Sequence, residues 1–548
     1  MQQLAMMHPR PDQVAPTPPP EGYLLRSYVE GDEQAWVDII NSTDMATWDV
    51  GRARRDLTGD ARFRPQGLFF ACEAASGRPV ATATAWWSLR FGRLRPTLHM
   101  VAALPGTRGR GLGKLVCQAA VAYMASQGSA EVILTTDDHR LPAIAIYLGM
   151  GFVPMRYNGG EDHEGRWQAI LEKLPAFSAR PNFAGPGRPV TIGVAGLRRG
   201  LHISRELADH PAAAFRSCFD QRPEAAEGFI RQFPHAQAAG SYEALLDGPA
   251  EAVIVATDMP THVPFSVAAL RKGKDVLSEV TAFYTPAQGV ELVEAVEQTG
   301  RRYMMAENTL YDNAMMELMQ QTMGGGLGEL RYAEGDYVHD IRYLTGPGNP
   351  ANWRTKLPPM FYCTHALGPI LRCSGLRPLR VTGMHTGARF SGTGGGLDMG
   401  SMLIQCTTGA AVRILSAFAV QRHPSSLWVC YYGREGSLET DRLDERVHLW
   451  RQGNNYADGP ISYKPNGRDG RPVTAEGHFG ADGRTMQYWI ESLANGLASP
   501  INVYEGADMT LPGLLGHRSS LNGNVPMEIP DFRDPAQRDP WRGDTAEP

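Results

Sequence analysis

What this chain has little of narrows its roles first. Seven cysteines are scattered over 548 residues, at 72, 117, 218, 363, 373, 406 and 430, and no two are spaced as C-x-x-C. Neither a zinc ribbon nor a disulfide framework is indicated, no metal site is expected, and reduced thiols in a cytoplasmic protein fit best. No run of 18 or more apolar residues occurs, so no membrane span is predicted. The opening MQQLAMMHPRPDQVAPTPPP lacks the apolar core of a signal peptide and a twin arginine. Excess positive charge is missing too: 53 Lys plus Arg stand against 58 Asp plus Glu, a formal net charge of -5. No bulk field exists to hold a nucleic acid or an anionic membrane, which leaves small molecules as the expected partners.

What is present is the composition of an ordinary globular protein, 43% hydrophobic and 20% charged, on a chain too long for one core. Residues 1–20, rich in Pro and Gln, are expected to form a disordered leader. Four prolines within 175–189 predict a linker over 176–189. The first folded unit is then 21–175. Over 190–308 short apolar runs (PVTIGVAGL, AEAVIVAT, KDVLSEV) alternate with helical patterns, which predicts a doubly wound parallel sheet. From 309 to 532 the runs ELRYAEGDYVHD, MGSMLIQCTT and LWVCYYG alternate like open antiparallel strands, and 533–548 is read as a tail. The expected fold class is therefore α/β and α+β multidomain.

Between Leu98 and Val116 a strand runs into a turn carrying Arg108, Gly109, Arg110, Gly111 and Gly113, and then into an apolar-periodic helix. Glycines at a helix N-terminus let backbone N–H groups approach a pyrophosphate, and the helix dipole and the arginines favour its charge. A plain glycine-rich turn is the structural alternative. One helix later, LTTDDHRLPAIAIYLGMGF (134–152) supplies the next strand and helix. The pair resembles the acyl-CoA-binding core of the GNAT N-acetyltransferases, whose R/Q-x-x-G-x-G/A signature is met by Arg108, Gly111 and Gly113. The resemblance covers about 23–174 and implies a GNAT fold, acetyl-CoA as cofactor, and Tyr147 as general acid for the departing CoA thiolate. Arg140 stands where many relatives carry Asn. The acceptor amine must be neutral when it attacks, so a base or a water wire is needed beside it. Glu73 and His99, each on a strand expected to line that cleft, are the candidates, with a purely structural role for either left open. Trp86 and Trp87 could wall an acceptor sugar or pack in the core.

In TIGVAGLRRGLH (191–202) a strand ends at Gly196 and the chain resumes at Gly200 before a helix. This dinucleotide-type turn departs from G-x-G-x-x-G: Arg198 takes the middle glycine's place and the last glycine comes one residue early. Asp220, ending the next strand, stands where an acidic residue would bind the adenosine ribose hydroxyls. It favours NAD, while Arg222 and the pair Arg198 and Arg199 leave room for NADP.

The stretch ATDMPTHVPFSVAALRKGKDVLSEV (256–280) resembles the T-P-x-x-x-H and A-L-x-x-G-K-x-V-x-x-E-K-P run of the Gfo/Idh/MocA oxidoreductases at Thr257, His262, Gly273, Lys274 and Glu279, and the likeness extends over 190–532. Val280 and Thr281 replace the usual Lys-Pro, whose lysine helps proton transfer, so another proton carrier is required. The branch with Glu-Val here resembles the NAD-dependent glycosidases of glycoside hydrolase family 109 through MAEN (305–308), EGDYVHD (334–340), NWR (352–354) and YCTHALGP (362–369). That resemblance implies that Glu307, Tyr337, Tyr362 and His365 line a sugar site beside the nicotinamide. It implies transient oxidation of a sugar hydroxyl, removal of the acidified neighbouring proton by a tyrosine or histidine, elimination, water addition and re-reduction. Cys363 replaces a proline and the 337–362 segment is short, so net dehydrogenation, epimerisation or elimination stays open. Packing roles for Tyr337, His339 and His365 also stay open.

Joined in one chain, the two halves suggest a bifunctional enzyme acting on one amino sugar or glycoside, the alternative being a sugar dehydrogenase with a non-catalytic acyl-CoA-binding module. Family likeness further implies a homo-oligomer formed through the C-terminal sheet.

Overall fold

The run Leu-Ala-Met-Met-His, expected to belong to a disordered leader, is a strand, β1 (Leu4–His8), with all five residues buried. Four apolar side chains in succession are enough to hold it in a sheet, against the expectation drawn from the prolines behind it. The computed structural model describes residues 2–60, 62–177, 181–323, 325–345, 352–389, 397–423, 425–451, 459–465 and 480–547. They divide into one unit of Met1–Pro189 with Glu491–Leu497 and a second of Val190–Ile490 with Ala498–Pro548. Residues 178–180 of the expected linker lie outside the described residues.

In the first unit β1 joins β2 (Tyr23–Ser27), β3 (Leu68–Glu73), β4 (Pro79–Arg90), β5 (Arg93–Ala103), β6 (Val132–Thr136) and β7 (Val153–Pro154) in a seven-stranded sheet ordered β2-β3-β4-β5-β6-β1-β7. Helix α1 (Glu33–Asn41) buries Trp36, Val37, Ile39 and Ile40 with Phe70 and Trp86. The longer α2 (Leu112–Ser126) buries Leu115, Val116, Ala120 and Val121 in a second cluster, joined by Ile144 and Tyr147 of α3 (Leu141–Gly149). Helix α1 covers the sheet with one apolar stripe, whereas α2 is buried all round over Leu115–Val121. Parallel strands β5 and β6 share a single pairing, Thr97 with Ile133. Beyond it neither pairs with the other, so the sheet opens between them along β5 from Leu98 onward.

The second unit opens with six parallel strands, β8 (Val190–Ala195), β9 (Ala213–Phe219), β10 (Gln237–Ala238), β11 (Ala252–Val255), β12 (Asp275–Ser278) and β13 (Tyr303–Met305), ordered β10-β9-β8-β11-β12-β13. This is the doubly wound order in which the crevice lies at the carboxyl ends of β8 and β11, where the winding reverses. Helix α4 (Leu197–Arg205) follows β8, and α5 (His262–Arg271) follows β11.

Nine strands then form a second sheet: β14 (Leu330–Val338), β15 (Pro378–His385), β16 (Met399–Cys406), β17 (Ala411–Ala417), β18 (Ser426–Gly433), β19 (Gly436–Thr440), β20 (Val447–Arg451), β21 (Ile461–Tyr463) and β22 (Met527–Glu528), ordered β21-β20-β19-β18-β14-β17-β16-β15-β22. Its pairing is antiparallel except between β14 and β17, which run parallel over Tyr332–Val338 and Ala411–Ala417. The sheet is therefore mixed rather than wholly antiparallel: the chain between these strands passes through α6 (Thr364–Ser374) and the β15–β16 hairpin, long enough to return β17 in the same direction. Helix α6 and helix α7 (Val503–Leu521) bury their apolar residues in this half.

Candidate active sites

In the first unit, β5 leads through a short turn to Arg108, and the next residues curl left-handed at Gly109 and Gly111, each with φ of 79°. Gly111 is the residue before α2, and a Cβ there would meet nothing, so glycine is required by backbone conformation and not by crowding. Arg110 donates to the Tyr23 hydroxyl at 2.8 Å. Arg108 and Arg110 thus flank the amino end of a fifteen-residue helix beside the gap between β5 and β6.

Tyr147 is buried in α3, where burial first and nearby Cys117 second push its hydroxyl up, against the pull of Arg140. It therefore stays protonated through the physiological range and able to donate. His99 is followed by Met100 at φ 50°, and the β4–β5 register slips opposite it, between Thr82 and Thr84. This bulge turns the His99 ring onto Trp86, with centroids 6.1 Å apart. Arg62 lies over the same indole, 4.9 Å from its centroid. His99 is exposed, and desolvation first, then Arg90 and Arg62, lower its pKa from the ordinary histidine value.

Glu73 is not near this bulge. It ends β3 opposite Tyr23, and its carboxylate accepts from Ser76 at 2.8 Å. His99 pairs instead with Thr84, and Thr84 with Leu68, at the other end of β3. The two candidate bases stand five residues of strand apart, about 16 Å. Only His99 is beside the open edge of β5, and Glu73 sits at the glycine-turn end.

In the second unit Gly196 has φ 84°, and a Cβ on it would lie 2.4 Å from the carbonyl oxygen of Ala256. A Cβ on Gly200 would come 2.7 Å from Val194, so this glycine lets α4 pack closely on β8. Despite the altered motif, the turn is that of a dinucleotide fold. Asp220 accepts the Leu197 N–H at 2.7 Å and pairs with Arg222. Burial raises the Asp220 carboxyl, but Arg222 and the backbone donors hold it below the ordinary range.

Arg199, read with Arg198 as leaving room for NADP, lines the dinucleotide cleft and is held there by two carboxylates. Its Nε donates to Glu279 at 2.8 Å and its two Nη atoms to Asp482 at 2.9 Å each. Asn308 also donates to Asp482, at 2.8 Å. His262 is buried with both ring nitrogens against backbone carbonyls, of Thr281 at 3.2 Å and of Thr257 at 3.0 Å, and so ties the β11 loop to the segment after Glu279. Burial keeps its ring below the usual histidine value. The Val280–Thr281 peptide bond is cis.

A cleft of about 730 Å³ is lined by Gly196, Arg198, Asp220, Arg222 and Thr257, and it extends to Glu279 and Tyr362. A smaller pocket of about 190 Å³ shares Arg199, Glu279 and Tyr362 with that cleft and is closed by Tyr337, His365 and Phe418. Of the four residues assigned by resemblance, Tyr337, Tyr362 and His365 line this pocket, and Glu307 stands behind His365. Tyr337 near the end of β14 stacks on Tyr362, with centroids 6.2 Å apart and planes at 15°, and its ring lies 4.6 Å from His365. The His365 Nδ1 is 2.6 Å from Glu307 Oε1. Glu307 is 0% exposed, and its carboxylate also accepts from the Thr309 hydroxyl at 2.8 Å. Burial would raise Glu307, yet His365 and the hydroxyl donors outweigh it and hold the carboxyl below its ordinary value. Tyr337 is pushed up by burial first and by the nearby Tyr362, Glu307 and Tyr343, with Arg199 opposing.

With Nδ1–H given to Glu307, the other nitrogen of a neutral His365 ring is left to accept. Sequence reasoning missed Asp482, Thr309 and Phe418. Asp482 lies 283 residues from Arg199, and no local pattern announces such a partner.

Comparison with known proteins agrees segment by segment. Residues 34–152 match the acetyltransferase (GNAT) family, 190–307 the oxidoreductase family with an NAD-binding Rossmann fold, and 384–538 the glycosyl hydrolase 109 C-terminal domain. A glycosyl hydrolase family 109 protein of Phocaeicola vulgatus is 28% identical over 412 residues, covering 64% of this chain and 96% of the relative. An alpha-N-acetylgalactosaminidase of Bacteroides fragilis is 28% identical over 321 residues, covering 51% of this chain and 74% of the relative. Among solved structures, a levoglucosan dehydrogenase in complex with NADH and levoglucosan aligns with a TM-score of 0.56 at 17% identity, over 63% of this chain and 100% of that one, a likeness of fold. The chain is thus an enzyme that joins a GNAT acetyltransferase segment to a Gfo/Idh/MocA oxidoreductase segment ending in a glycosyl hydrolase 109 C-terminal domain.

Proposed function

We propose that the second unit uses NAD to oxidise a sugar carbon transiently and so cleaves a glycoside of an N-acetylated amino sugar without net redox change, and that the first unit acetylates such an amino sugar from acetyl-CoA. The observation that carries the reading is the buried His365–Glu307 pair, which faces Tyr337 and Tyr362 in a ring-sized pocket opening into the dinucleotide cleft. The name alpha-N-acetylgalactosaminidase borne by a relative points the same way.

The residues fit a dinucleotide. Gly196 and the amino end of α4 would receive the pyrophosphate, and Asp220 the adenosine ribose. Bound there, NAD supplies a hydride acceptor that later returns the hydride. His365, held by Glu307, takes the proton beside the oxidised carbon, and the stacked Tyr337 and Tyr362 orient the ring. Arg199, fixed between Glu279 and Asp482, keeps a permanent cation where cleft and pocket meet.

The test is turnover of p-nitrophenyl α-N-acetylgalactosaminide with NAD. Release of nitrophenol with no accumulating NADH, together with exchange of the sugar C–H into D2O, supports the reading; stoichiometric NADH makes the enzyme a dehydrogenase instead. Two further results are expected. Gly196→Ala should abolish the upward Tm shift given by NAD and cost about 1–3 kcal/mol of stability, read by thermal denaturation, because the left-handed turn has no room for Cβ. Asp220→Ser should free Arg222 and raise the NADP-to-NAD ratio of kcat/KM by about tenfold or more, since a carboxylate that repels a ribose phosphate is removed.

A further inference from the structure

The sugar pocket lacks the lysine that usually handles protons in such oxidoreductases, and a second feature of β14 stands in its place. Tyr337 faces the pocket, and its hydroxyl is 2.9 Å from Nδ1 of His339. On the far side of that ring, Nε2 is 3.2 Å from the Tyr343 hydroxyl. Tyr343 is 66% exposed. The three groups form one line of hydrogen bonds from a closed cavity to solvent.

We propose that Tyr337, His339 and Tyr343 are a proton relay that carries the sugar hydroxyl proton out of the pocket and back. The proposal rests on the oxidation reading above. For each hydride that leaves the sugar carbon for the nicotinamide dinucleotide, the C–O bond becomes C=O and one hydroxyl proton must depart. That proton passes to the Tyr337 oxygen while the Tyr337 proton moves to His339 Nδ1. The Nε2 proton passes to Tyr343, and the Tyr343 proton leaves to water. The sum is one hydride to the dinucleotide and one proton to solvent, with every relay group returned to its starting charge. Re-reduction of the ketone runs the same line inward.

The relay uses the tautomer with Nε2–H toward Tyr343 and Nδ1 accepting from Tyr337. A neutral relay suits this location, since the groups acting on Tyr337 are Tyr362, Glu307, Tyr343 and Arg199, and burial disfavours a lasting phenolate. His339 also lines the pocket, while Tyr343 acts through His339.

The experiment uses the full chain loaded with NAD and p-nitrophenyl α-N-acetylgalactosaminide, comparing wild type with His339→Gln and Tyr343→Phe. Unchanged NAD binding establishes that each variant is folded; Tyr343, at the surface, offers the milder change. His339→Gln should lower kcat by about 10²-fold with KM within about twofold, and added imidazole should recover part of the loss. A plot of wild-type kcat against deuterium fraction should bow downward, because several protons move together, and Tyr343→Phe should straighten it. Variants within about twofold of wild type in kcat, with the curvature kept, overturn the relay while leaving the oxidation reading intact. A wild type that shows no NAD-dependent exchange of the sugar C–H overturns that reading, and the relay with it.

Discussion

Glu307→Gln is expected to lower kcat for sugar turnover by about 10²–10⁴-fold while KM changes little. The side chain keeps its size, so the cost is chemical. In the wild type the carboxylate holds a proton on Nδ1 of His365 from 2.6 Å and leaves the other ring nitrogen free to accept. An amide that turns its NH2 to Nδ1 reverses the tautomer and puts the proton on the nitrogen that should act as base. Even in its better orientation it cannot balance the imidazolium that forms when His365 takes a proton. Steady-state kinetics alongside the rate of C–H exchange into D2O measure the effect; a loss in KM alone would make the pair a binding contact.

The same carboxylate predicts a pH dependence of stability. Its folded pKa lies below the ordinary value, so its stabilising contribution is complete above the unfolded carboxylate pKa and is lost as pH falls through the lower folded one. Urea denaturation should therefore show wild type and Glu307→Gln converging in stability as the solution is acidified.

Tyr147→Phe is the second large effect, expected to lower kcat for acetyl transfer by about 10²-fold with acetyl-CoA affinity unchanged. Tyr147 belongs to the apolar cluster that holds α3 on the sheet, and Phe fills that volume, so only the hydroxyl is removed. Burial keeps that hydroxyl protonated, which suits a donor to a departing thiolate. Free CoA released from acetyl-CoA with glucosamine as acceptor, set beside acetyl-CoA binding by calorimetry, separates the two quantities. An unchanged kcat assigns the donor role elsewhere. Sugar turnover in the second unit should be unaffected, because its groups lie in 190–490 and 498–548.

Much of the fold was legible because its signals are local. Alternating apolar runs and helical stripes predict β8 to β13, and the glycines at 109, 111 and 196 mark turns that the backbone then makes left-handed. The four short segments around Glu307, Tyr337, Tyr362 and His365 pointed to one site; in the structure Tyr337, Tyr362 and His365 line one pocket and Glu307 is bonded to His365. The misses have physical reasons. Leu4–His8 carries too few residues to outweigh the prolines after it in any composition window, yet lying between two strand edges it gains backbone pairing on both sides. The parallel pairing of β14 with β17 depends on the length of the intervening path, which no strand pattern encodes. The pair Arg198 and Arg199 beside a glycine turn leaves room for NADP, and no local pattern shows that Arg199, while lining the cleft, is held by carboxylates from β12's end and from residue 482.

By itself the sequence determined the division of this protein into an acetyltransferase segment and an oxidoreductase segment: which stretches form helices and strands, where glycine must stand, and which acids, histidines and tyrosines are on hand. Only the tertiary structure decided which of them act together. It set Glu73 apart from His99, placed Glu307 against His365 across 58 residues and Arg199 against Asp482 across 283, and lined Tyr337, His339 and Tyr343 from pocket to solvent. Propensity and periodicity act over a few residues, whereas hydrogen bonds and ion pairs depend on distances of about 3 Å that only the packed chain defines.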